Sequence, residues 1–251
     1  MGSPSFWAHW GWAAATAGIG FIFAGLLLNQ YLERKKPHQL AWFIGFLFYA
    51  LAAAMEAYSE IAGTWSHTVY RFYIVIAASL VGFLGLGSVY LGLRKKIWGH
   101  IFLAYILVIM ALFFHGVFTT ELISSKLVAG ITVSGQPLGP KGTFPRSYSM
   151  LLTIPGSMLL LIFSAISVLR FWRKKEYRYR AWANILIIAG TFVIAGSGSM
   201  VTSGHPEGLY PAEMIGAALL LWGFLKASSL KKGAEAVHSK RLTDKKVSTT
   251  A

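Results

Sequence analysis

The chain contains no cysteine, which removes disulfides, thiolate-bound metals, iron–sulfur clusters and cysteine nucleophiles together. Acid is scarce as well, with nine Asp and Glu against 23 Lys and Arg in 251 residues. Charged residues of both signs make up only 13 % of the chain, about half the share in a soluble domain. No H-E-x-x-H zinc pair, G-x-S-x-G nucleophile elbow or phosphate-cradling glycine loop is present. Those absences leave few of the usual sequence signals for a hydrolase, a metalloenzyme or a nucleotide-binding domain.

What is there is apolar. Hydrophobic residues make up 55 % of the chain and the mean hydropathy is +0.57. Seven stretches, at about 11–31, 39–62, 68–93, 98–119, 147–170, 181–203 and 209–227, approach the ~20 mostly apolar residues that cross ~30 Å of hydrocarbon. The expected fold is all-α: a polytopic membrane protein whose residues 1–227 form a seven-transmembrane-helix bundle. Residues 228–251 are polar and basic and read as a disordered tail.

The basic residues are distributed unevenly. All but four of the 23 lie at Arg34–Lys36, Arg94–Lys96, Arg170–Arg180 and Lys226–Lys246, that is, in every second connection and the C-terminal tail. The exceptions are Arg71, Lys126, Lys141 and Arg146. This positive-inside pattern puts the N-terminus outside and the C-terminus in the cytoplasm. The net charge of +14 then reflects topology and attraction to anionic headgroups on the cytoplasmic face, with no nucleic acid required. Met1–Trp10 has no basic n-region, so the first span reads as a retained helix. A multi-pass protein of a prokaryotic cytoplasmic membrane is the expected localisation.

Small residues recur at packing spacing, as at Ala14/Gly18, Gly20/Ala24, Ala78/Gly82 and Ser88/Gly92, and such pairs let helix backbones approach closely. Pro155-Gly156-Ser157 lies inside the fifth span and predicts a kink. Trp42 and Trp222 fall inside their spans, while Trp65 lies between the second and third. Most connections are short. The exception, about Thr120–Arg146, carries Gly135, Pro137, Gly139, Pro140, Gly142 and Pro145, which argues against a continuous helix. Its Leu127–Val133 portion is a candidate small hairpin, and the whole loop is a lid, a protein-partner surface or a passive linker.

Chemistry centres on the few acids. Glu56 and Glu213 should sit more than a turn inside their spans, where ionisable groups are costly and face protein or a water-filled cavity. With a turn near Gly63-Thr64, residues whose numbers sum to about 127 lie level, which pairs Glu56 with Arg71 and Glu60 with His67. Glu56 and Glu60 are four apart and share one helix face. Arg71 is therefore the expected counter-ion of Glu56, in a ligand site or as a structural pair. In the last hairpin, Glu213 should lie level with Gly198, beside Ser197 and Ser199; it also suits the positive end of its own helix. Together these predict an outward-facing polar pocket lined by Glu56, Tyr58, Glu60, Arg71, Tyr73, His115, Ser197, Ser199 and Glu213. A metal held by Glu56, Glu60, His115 and Glu213 is a minor alternative, and no cofactor is indicated.

Known seven-helix families offer only architectural parallels. The plan resembles that of microbial rhodopsins, but Met214–Leu225 contains no lysine for a retinal Schiff base, and Lys226 stands at the end of the span. A three-plus-one-plus-three transporter plan fits the helix count, although residues 11–93 and 147–227 share only small residues and polar outer ends. The histidines do not supply the shared-depth set of ceramidase-like zinc hydrolases. Three readings follow from the residues. The first is a binding or transport protein for a small molecule or ion, with the acids as proton or cation sites. The second is a lipid-headgroup hydrolase or transferase, with a glutamate base and Arg71 stabilising an oxyanion. The third is a structural or sensory subunit.

Overall fold

A computed structural model describes residues 4–129, 135–172, 178–202 and 208–226. Among these residues lie seven α-helices: α1 (Pro4–Arg34), α2 (Pro37–Ala62), α3 (His67–Gly92), α4 (Ile97–Thr119), α5 (Arg146–Trp172), α6 (Arg178–Thr202) and α7 (Leu209–Lys226). Six are long and apolar enough to cross a membrane; in α6 the described apolar stretch is Ala181–Ile194. No strand occurs among the described residues. The chain is an all-helical, multi-pass membrane bundle.

Local chemistry sets the helix ends that matter for the site. Pro37 opens α2 at the position where a missing N–H costs least. Gly63 closes it with φ 71°, its N–H bonded to the Glu60 carbonyl, in the left-handed conformation that glycine adopts without a Cβ penalty. Ser66 then caps α3 by accepting a hydrogen bond from the Val69 N–H. The α2–α3 turn thus falls where the sequence places it.

Helix α3 is the hub and packs against α2, α4 and α5. It buries 67 % of its apolar window, whereas α4 buries 22 %, which puts α4 at the periphery. Small residues set the closest approaches, because van der Waals contact drives helix association in lipid. A Cβ on Gly85 would lie 2.5 Å from the Gly156 carbonyl oxygen, so α3 and α5 meet backbone to backbone. Gly87 accommodates the Trp42 ring, whose indole N–H donates to the Leu84 carbonyl at 3.2 Å. Gly18, by contrast, has nothing within 4 Å of its Cβ position, so the Ala14/Gly18 pair makes no close crossing there. Helix α5 runs unbroken through Pro155. Trp222 is exposed on the outside of the bundle.

The long connection packs against the bundle. Leu122, Leu127 and Leu138 are buried in one cluster with Trp65, Tyr70 and Tyr73. The Leu127 carbonyl accepts from the Trp65 N–H at 3.3 Å and from the Thr64 hydroxyl at 2.9 Å. Val128 pairs with Thr64 in an isolated antiparallel bridge. The candidate hairpin at Leu127–Val133 extends into 130–134, outside the described residues, as does the tail beyond 226.

Candidate functional site

The acids of α2 and α7 meet where α2, α3 and α7 come together. Glu56 and Glu60 are buried at 3 % and 7 % exposure. Tyr73 of α3 donates to Glu56 Oε1 at 2.8 Å, and Tyr210 of α7 donates to Glu60 Oε1 at 2.6 Å. Tyr49, two turns before Glu56 on α2, donates to the Glu213 backbone carbonyl at 3.0 Å. The Glu213 side chain comes within hydrogen-bonding reach of Glu56. Even so, Glu56 Oε2 is buried without a settled hydrogen-bond partner. Three carboxyls and three tyrosines from three helices therefore form one polar cluster.

Neither Glu56 nor Glu60 is paired with a cation among the described residues; their partners are phenols. The expected Glu56–Arg71 pair is not formed. Arg71 donates instead to the Val117 and Thr120 carbonyls at the end of α4, and its guanidinium lies 5.8 Å from the centre of the Phe118 ring. The reason is angular. Residues two apart on a helix point about 200° away from each other, so turning Tyr73 toward α2 turns Arg71 toward α4. There the cation complements the negative helix end.

The same rule separates other residues from the cluster. Tyr58, two positions after Glu56, is 57 % exposed. His115 is exposed beside the buried Phe113, Gly116 and Val117 of α4. The proposed fourth metal ligand is thus outside the bundle, and no three His, Asp or Glu side chains among the described residues are placed to hold a metal ion together. His67 bonds to Ser124 of the long connection at 3.2 Å rather than to Glu60. The Ser197 and Ser199 side chains lie outside the described residues. Of the nine expected residues, the structure brings together Glu56, Glu60, Tyr73 and Glu213.

Tyr49 and Tyr210 were not among the expected residues, though a sequence signal for them exists. Tyr49, Glu56 and Glu60 follow i, i+7, i+11, a single helix stripe, and Tyr210 and Glu213 follow i, i+3. Trp65 completes the cover: it is 2 % exposed, and its ring centre lies 4.6 Å from that of Tyr73.

The opposite, basic end is built differently. A cavity of about 540 Å³ opens between α1, α2, α3, α5, α6 and α7. Its wall is mainly Phe and Leu, with Ser88, Ser164, Ser167, Asn184 and Arg170 as polar members. No protein family, curated protein or solved structure matches the chain.

Proposed function

We propose that this is a proton-binding transport or binding protein of a prokaryotic cytoplasmic membrane, with its acidic end outside and its basic end in the cytoplasm. The Glu56–Glu60–Glu213 cluster is its working group, and a small molecule or ion is the ligand coupled to it. One observation carries the reading. Glu56, at 3 % exposure, keeps one carboxyl oxygen on Tyr73 and the other unpartnered beside a second acid.

A buried acceptor without a donor is costly, and a protonated carboxyl has a donor to offer. A proton on Glu56 or Glu213 joins the two acids; its loss leaves facing carboxylates on α2 and α7. Proton binding therefore bears directly on how these helices pack. Arg71 lies away from these carboxyls, on α4 carbonyls, so the lipid-hydrolase reading loses the oxyanion stabiliser it relied on.

The test is a pH-difference infrared spectrum of purified protein in nanodiscs. The expected result is a titrating carboxylic-acid carbonyl band that is lost in both Glu56→Gln and Glu213→Gln. An unchanged band in both folded variants would overturn the proposal.

A further inference from the structure

The basic-end cavity shares no lining residue with the acid cluster and calls for its own ligand. Phe23 and Phe46 lie at its inner part with their ring centres 3.8 Å apart, and Phe46 in turn meets Tyr49 at 6.5 Å. This aromatic layer separates the cavity from the acids. Leu220 on the cavity wall is seven residues, about 10 Å of helix rise, from Glu213.

The lining is graded from end to end. Phe23, Phe46, Leu84, Leu160 and Leu220 make the deep part apolar. Toward the ends of α3 and α5 the lining residues Leu91, Leu93, Ile166 and Arg170 are all exposed, which marks the mouth. Arg170 forms no ion pair among the described residues, and it stands in the last turn of α5. Asn184, near the start of α6, and Ser167 add polar atoms to the wall. Ser164, 6 % exposed, sits deeper.

An apolar body with a cation, Arg170, at its opening selects a ligand of the same form. Ligand sites of this size are mostly apolar, with a few polar groups that fix orientation. The volume suits one alkyl chain rather than the two of a membrane phospholipid. The exposed apolar residues around Arg170 suit entry from the membrane interface, where long basic side chains hold their charge at headgroup level.

We propose that this cavity binds a single-chain anionic amphiphile, its tail between Phe23, Leu84 and Leu160 and its anionic head at Arg170. The head is a carboxylate or a phosphate, and the bilayer is the source. This inference does not rest on proton binding at Glu56, because the two sites share no residue.

Native mass spectrometry in detergent tests it with four probes: palmitate, hexadecanol, 1-palmitoyl lysophosphatidate and a two-chain anionic phospholipid. The full chain should take up one palmitate or one lysophosphatidate, and whichever binds more tightly identifies the head. The preferred anion should bind about tenfold more tightly than hexadecanol, the scale of one charge-assisted hydrogen bond. Arg170→Gln should reduce that preference to near parity. Ser164→Phe should abolish one-to-one binding of every probe, with Ser167→Phe as the second blocking variant should the first not fold. Non-saturating adducts, tighter binding of the two-chain lipid, or uptake unchanged in both Arg170→Gln and a folded blocking variant would overturn the proposal.

Discussion

The two ends of the bundle handle polarity in opposite ways. At the acidic end, three carboxyls are drawn inward from α2 and α7, two of them bonded to tyrosines, with Trp65 and buried leucines of the long connection over them. At the basic end the polar groups line an open cavity, and Arg170, the one cation in its wall among the described residues, stands at the mouth. Polar groups inside a membrane bundle require partners from the protein itself, so the closed end pairs its carboxyls with phenols and leaves Glu56 Oε2 as the unmatched atom. The open end avoids that cost by keeping its interior apolar and its charge at the surface.

If the acidic end depends on closure, Trp65 is where it breaks most readily. Trp65→Ala removes a ring at 2 % exposure that touches Tyr70 and Tyr73, and should cost about 3–5 kcal/mol. Thermal unfolding in detergent reads this as a large fall in Tm. A Tm near wild type would mean that the acid cluster stands without its cover.

Tyr210→Phe isolates a single pairing. It leaves Glu60 Oε1 without its 2.6 Å donor and should cost about 1–3 kcal/mol, measured in the same assay. A neutral result would show that water or a movement of α7 replaces the phenol.

Arg71→Gln should have a smaller effect, about 1 kcal/mol, as loss of a cation at a helix C-terminus does. Hydrogen exchange should accelerate in the last turn of α4 and in the connection that follows, while the carboxylic-acid infrared band stays in place. A shifted band would return Arg71 to the acid cluster.

The smallest effects belong to residues the structure places on the outside. Tyr58→Phe and His115→Ala should each stay within about 0.5 kcal/mol of wild type and leave the band unchanged. Altered proton binding in either variant would contradict the division between the cluster and the bundle surface.

Depth was legible in the sequence because a helix rises by a constant amount per residue and a hairpin has a locatable turn. The seven apolar spans appear as helices, α1 starting seven residues before the expected span, and the left-handed Gly63 ends α2 beside the expected turn. The inward placement of Glu56 and Glu60 follows from their depth and shared face. Tyr49 lies on the same stripe but carries no such signal, because a tyrosine in an apolar span has no cost that calls for explanation.

Direction around each helix axis belongs to the tertiary structure. Arg71 and Tyr58 sit at suitable depths but point away from the acids, and His115 faces outward. Two positions along a helix reverse a side chain's direction, and which side is inside depends on the neighbours it packs against. The basic-end cavity was invisible for the same reason: it is a space between six helices, and no single stretch of sequence encodes it. The sequence by itself determined which stretches are apolar enough to cross a membrane and how far along its helix each residue lies. The packing of small residues at Gly85, Gly87 and Gly156 helped decide which side chains meet, because helix association in lipid follows surface fit rather than hydrophobicity.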